Sequence, residues 1–239
     1  MPNSRIKRDI DWFFETPPTG DPIINVQAWL SGTDSALATT VATSTLPNKF
    51  FIVEIYWEND TPFTVPTVVS LNGQNGTLLT STQVDNGAFE NGLYFFYWTD
   101  TQIQAITAIS NNPNLSVTWS NGDPIEFQFS YIQYANVAQS NFLIDVENQT
   151  NVGNLNFTDS LVVEDGGVIV VSNVSGNAPS STVTTLTPFP LVVDDLSGVS
   201  QNANVWEEFT TTNGPLSFTF NISGSTNRTA VSYFSLRRA

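Results

Sequence analysis

The chain of 239 residues has no cysteine, no histidine and two lysines. A disulfide framework, zinc sites of the usual kind, catalytic triads, thiol nucleophiles and imidazole bases are therefore excluded. Carboxylate chemistry is the main enzymatic option left. The length is sufficient to bury a core without covalent staples, either as one large β domain or as two sandwiches of ordinary size.

Positive charge is nearly missing from the body of the chain. Arg5, Lys7 and Arg8 stand near its start and Arg228, Arg237 and Arg238 near its end; Lys49 is the only base between them. Residues 9–227 thus carry one base against 22 acids, a formal charge of −21. Such a body repels nucleic acid and anionic membranes, whose binding needs cations to neutralise phosphate, so neither is expected as a direct partner. The acids serve solubility, or they receive the basic termini of neighbouring copies.

Long apolar runs are absent too. No stretch of eighteen apolar residues can span a bilayer, and Asp9, Asp11 and Glu15 interrupt the opening segment where a secretory signal would have its apolar region. Synthesis in the cytosol without a membrane anchor is expected. Yet a composition rich in Asn, Ser and Thr and poor in Lys reads as that of a protein exposed outside cells. A virus particle protein, assembled in a cell and released by lysis, meets both conditions; the mature form of a secreted protein also would.

What is present is β structure. Residues 1–23 combine mixed charge, Trp12, Phe13 and Phe14 with the Pro17-Pro18 pair, which favours an extended arm. Either a neighbouring subunit holds this arm or it folds back with its aromatics as plugs. Beyond it, alternating apolar residues predict strands over 24–31, 36–44, 50–58, 64–71, 77–83, 93–99, 114–119 and 125–134, separated by Asn-Gly and Asn-Asp turns. A second set follows over 141–147, 153–163, 167–174, 182–187, 190–194, 204–211, 215–221 and 228–236. Asp100 is placed as the cap of one short helix, with Ile103, Ile106 and Ile109 on one face.

The hairpin Leu115–Tyr134 has an echo at Leu216–Leu236, offset by 101 residues in its first strand and 102 in its second. In both second strands the large side chains change parity, after Tyr131 and after Tyr233. A bulge re-phases both strands, or their ends are buried on both faces. The expected fold is all-β: two jelly-roll-like antiparallel β-sandwich halves at 24–138 and 139–239, related by duplication, behind an extended N-terminal arm at 1–23.

Few residues suggest chemistry. The acids Glu54, Glu58 and Asp60, the pair Glu164 and Asp165, and Asp194 with Asp195 follow strands into turns where calcium could bind. None matches an EF-hand loop, so no metal and no cofactor is assigned. No carboxylate pair can be placed across a cleft, and no catalytic residue is assigned either. Trp57, Glu58 and Asp60 form a tentative ligand edge, since a row of exposed aromatics would suit glycans, although aromatics on alternating strands belong more often to a core. The assembly arm is assigned to Arg5, Lys7, Arg8, Trp12, Phe13 and Phe14.

The succession Phe50–Ile55, Val68–Gln74, Leu93–Trp98 followed by a short helix, and the closing Arg228–Ala239 resembles β-sandwich proteins of bacteriophage virions and bacterial surfaces. The resemblance covers roughly residues 24–239 and brings no catalytic residues. It implies a structural or adhesive role: a virion protein whose partners are copies of itself and other virion proteins, or else a carbohydrate-binding or adhesin module reading surface glycans.

Overall fold

Turn residues cut the chain into strands at nearly the predicted places. The structure, a computed structural model, describes residues 20–33, 37–60, 63–176, 183–197, 201–224 and 226–239. The first half contains β1 (Ile24–Thr33), β2 (Phe50–Asp60), β3 (Pro66–Leu71), β4 (Gln74–Asn75), β5 (Thr77–Asp85), β6 (Phe89–Thr99), helix α1 (Asp100–Ile109), β7 (Leu115–Trp119) and β8 (Glu126–Ala135). The second contains β9 (Leu143–Asn151), β10 (Phe157–Val163), β11 (Val168–Gly176), β12 (Val183–Thr187), β13 (Leu191–Ser197), β14 (Gln201–Phe209), β15 (Gly214–Ser223) and β16 (Arg228–Leu236).

These strands form four antiparallel sheets packed as sandwiches. A five-stranded sheet, β1-β8-β2-β6-β5, faces the small sheet β4-β3-β7, and a second five-stranded sheet, β9-β16-β11-β14-β13, faces β10-β15-β12. Read from its first strand, each large sheet has one order: first strand, last strand, long central strand, then the hairpin that precedes the final pair. The central ladders agree in length as well. Phe50–Glu58 pairs with Tyr134–Glu126 and Val168–Gly176 with Leu236–Arg228, nine residues each without a register shift.

Three apolar clusters fill the spaces between sheets. Val53, Trp57, Trp98, Ile103 and Phe129 lie between the sheets of the first half. Ile169, Trp206, Phe218 and Tyr233 do the same in the second half. The remaining cluster joins the two large sheets to each other, with Phe50, Ile52, Phe95 and Tyr134 against Val170, Val205, Ala230 and Phe234. At about 1.5–3 kcal/mol for each large apolar side chain fully buried, this middle layer is as much a core as either sandwich interior.

The parity change noted after Tyr131 and Tyr233 follows from that stacking. The unshifted ladders exclude a bulge between these strands and their central neighbours, and all nine residues of β16 are buried. In β8, Phe127, Phe129 and Tyr131 join the first interior while Ile132 and Tyr134 join the middle layer. Both faces are covered by sheets of the same chain, so each parity carries large side chains.

Two local expectations are corrected. Of the strand expected over 36–44, the described residues 37–44 form none; they make one bridge, Ala38 with Asn114, and the Thr39 and Val41 N–H groups donate to the Pro113 and Asn111 carbonyls just before β7. The helix is capped by Thr99 rather than Asp100: the Thr99 backbone N–H donates to Gln102 Oε1 at 3.0 Å, leaving Asp100 as the first helical residue, where its charge suits the helix dipole.

Candidate functional site

The proposed ligand edge is not a surface. Trp57 is fully buried, with its ring 5.6 Å from Trp119 and 5.0 Å from Tyr94 in the first interior. Glu58 points the other way and is buried between the halves, while Asp60 at the strand end is exposed. Strand alternation separates these neighbours. Trp29, Trp98, Trp119 and Trp206 are also buried, so the described tryptophans offer no exposed platform for a sugar. The arm residues Arg5, Lys7, Arg8, Trp12, Phe13 and Phe14 lie outside the described residues.

The acids grouped by sequence as turn residues instead bind the halves together. Glu54 and Glu58 share the parity of Phe50, Ile52 and Tyr56, and therefore face the middle layer. Glu54 is wholly buried at its centre, accepting a hydrogen bond from the Ser130 hydroxyl at 2.8 Å within its own half and another from the Ser172 hydroxyl across the layer. Glu58 pairs with Arg228 of β16 at 2.7 Å, and Arg228 Nε also donates to Asn91 Oδ1. Burial lowers the Arg228 pKa, and the Glu58 charge opposes that shift. The guanidinium carbon lies 5.2 Å from the ring centre of Phe89.

A third carboxylate crosses in the reverse direction. Glu207 of β14 accepts from Asn25 at 3.0 Å, Trp29 Nε1 at 2.9 Å and the Tyr134 hydroxyl at 2.5 Å, all in the first half. Burial, then the neighbouring Glu207 charge, raises the Tyr134 phenol well above its ordinary pKa. A buried carboxylate is tolerable only when donors replace the lost water. Here the donors for each come wholly or partly from the opposite half, so the seam is chemically matched as well as apolar. Sequence reading missed these roles; an acid at a core-parity position of a long apolar strand was the available signal.

The C-terminal bases meet acids of their own chain. Arg237 Nη2 lies 2.7 Å from Glu164 Oε1, Arg238 Nη2 lies 3.9 Å from Asp165 Oδ2, and Lys49 meets Asp100 at 3.0 Å. Asp194 accepts from Asn204 Nδ2 at 2.9 Å. Among the described residues, no three acids converge to hold a metal ion. Glu90, on the face of β6 opposite Asn91, is buried and has its pKa pushed up to about 7, first by burial and then by the Asp85 charge, with the Thr64 backbone N–H opposing.

Two surface features remain. One is the root of the arm. Arg238 Nη1 donates to the Gly20 carbonyl at 3.1 Å, Asn136 Nδ2 to the Pro22 carbonyl at 2.9 Å, and the Ile23 N–H to the Gly166 carbonyl at 2.8 Å. A Cβ at Gly20 would collide with the Ala239 carbonyl. The second feature is a cleft of about 370 Å³ at the far end of the first sandwich, lined by Leu37, Leu115, Val117, Trp119, Asp123 and Phe127. Comparison of the chain with protein-family models, curated proteins and solved structures finds no match.

Proposed function

We propose that this chain is a structural protein of a virus particle, a shell, decoration or tail component that acts through contacts between subunits. The observation that carries the reading is the distribution of charge between body and arm. Residues 20–239 hold 19 acids and four bases, a formal charge of −15. All four of those bases are engaged with acids of the same chain. Residues 1–8 contain Arg5, Lys7 and Arg8 and no acid. Residues 1–19 as a whole are formally neutral, with Asp9, Asp11 and Glu15 following the bases, but the cationic first eight residues are complementary to the acidic body of another copy.

The repeated strand order of the two large sheets supports a related part of the reading, two copies of one jelly-roll-like unit stacked back to back. Such a block presents outer sheets and edges to neighbours and keeps its chemistry inside. Deleting residues 1–19 tests the arm, because every described anchor of the root lies at residue 20 or beyond. Light scattering is expected to show loss of assembly with an unchanged melting temperature, and assembly of the full chain should weaken as salt rises past about 0.15 M, where screening shortens to about 8 Å. Undiminished assembly of the truncated chain would refute the proposal.

A further inference from the structure

We infer that one end of the second sandwich interior binds a monovalent alkali cation, sodium or potassium, through asparagine and hydroxyl oxygens. The inference goes beyond the assembly reading and does not depend on it. Asn173 Oδ1 and Nδ2, Ser175 Oγ, Asn202 Oδ1 and Asn204 Oδ1 are buried without a hydrogen-bond partner among the described residues. Asn173 is fully buried, and the other three residues are at most 4% exposed. Asn173 and Ser175 share the parity of Ile169 and Val171 on β11, and Asn202 and Asn204 that of Trp206 on β14, so all four face the second interior. In the opposing sheet Thr184, with the parity of Leu186 on β12, has an unpartnered hydroxyl as well.

The first half fills the same places differently. With Phe50 set against Val168, Ile55 opposite Tyr94 corresponds to Asn173 opposite Asn204, and Trp57 opposite Gly92 to Ser175 opposite Asn202. Phe127 corresponds to Thr229. Apolar and aromatic side chains thus close this end of the first interior, and a floor of amides and hydroxyls takes their place in the second. Groups withdrawn from water in this way need a polar partner. Opposite Cβ atoms in a ladder are about 5 Å apart and alternate residues about 7 Å, so the four side chains frame a space that one small ion spans.

The donor set and the charge select that ion. Three carbonyl oxygens and two hydroxyls stand against one amide NH2, an excess of oxygen. Carbonyl oxygens of this kind replace the hydration shell of an alkali ion. Asn204 Nδ2 donates to Asp194 Oδ1 at 2.9 Å, so the carboxylate holds the amide with its oxygen turned from β13, the role outer carboxylates have around metal ligands. Asp194 pairs with no described base and contributes one uncompensated negative charge. A monovalent ion balances it, whereas a divalent ion would keep a surplus charge among neutral ligands, and divalent affinity falls with the number of charged ligands. Asp194 is exposed on the edge strand β13, which gives the site its opening to solvent.

Urea denaturation of the full chain in sodium, potassium and choline chloride, each at about 0.1 M so that screening is equal, tests the site. Choline is too large for the floor to coordinate. Sodium or potassium is expected to raise the folded-to-unfolded ratio about 10-fold over choline, the gain at an ion concentration about ten times the dissociation constant. The larger of the two gains names the occupant. Asp194→Ala, at an exposed position, should fold as before and lose most of the gain; Asn173→Ile, which installs the first half's residue, should lose all of it. Asp123→Ala, at an exposed acid of the other half, should keep it. Equal midpoints in the three salts would overturn the inference, and a gain kept in full by Asp194→Ala would do the same. A larger gain from calcium chloride at equal ionic strength, lost in Asp194→Ala, would refute the monovalent assignment.

Discussion

Replacing Glu90 by glutamine should make the protein more stable at neutral pH and leave it unchanged in acid. Glu90 is 3% exposed as a residue, and burial, followed by the Asp85 charge, raises the pKa of its carboxyl from 4.5 to about 7. Below pH 4.5 it is protonated in both states and contributes nothing to the difference from an amide. As pH rises from 4.5 to 7 the unfolded chain loses this proton first, so folding must retain or recapture it and stability falls; above 7 the loss is complete. At about 1.4 kcal/mol per pKa unit the full loss is at most about 3.5 kcal/mol. Glutamine is neutral throughout and can still accept from the Thr64 N–H, so the variant should escape the loss. Urea denaturation of both proteins at pH 4.5, 6, 7 and 8 measures the difference, which cancels the contributions of the other acids. Parallel stability curves across that range would show that Glu90 keeps an ordinary pKa and that the burial argument is wrong.

Three further outcomes follow from the seam between the halves. Arg228→Leu leaves Glu58 buried without its cation and should cost about 3–5 kcal/mol in urea denaturation, most of which a second change, Glu58→Leu, should restore. Ser172→Ala removes the donor that Glu54 receives from across the middle layer; a cost of about 1–3 kcal/mol is expected, and a loss no larger than that of an exposed Ser116→Ala control would contradict the buried bond. Residues 1–138 expressed alone should be insoluble or bind hydrophobic dyes, because the face of Phe50, Ile52 and Phe95 loses its cover; a soluble, cooperatively melting fragment would show that the half is independent.

Most of the fold was legible in the sequence. Period-two alternation and Asn-Gly turns located the strands, β16 at its observed ends, and the helix span is as predicted. The 102-residue offset between the echoed strands is the offset between β8 and β16 in their matching ladders. The segment at 36–44 was misread because alternation records which residues are apolar, not whether a partner strand lies beside them. The site was far less legible. Glu54, Glu58 and Asp60 look alike in sequence, and only the stacking of a second sheet makes the first two interior and leaves the third in solvent. Trp57 could be weighed only by frequency until its neighbours across the interior were known. That Arg228, Arg237 and Arg238 would turn inward depended on contacts more than 70 residues away along the chain, which composition cannot supply.

The insertion of β16 between β11 and β9 has a consequence for biosynthesis. Ribosomes deliver the chain from its N-terminal side, and this strand is the last of the sixteen to emerge. Until it does, β9 has no neighbour in its sheet, β11 has one open edge, and the acid at Glu58 has no cation. Even the first half, complete through β8 much earlier, must wait with its inner sheet uncovered. The closing strand thus acts as a check on completeness: a chain interrupted before residue 228 leaves the apolar middle layer uncovered, and only a chain that includes β16 is a closed block.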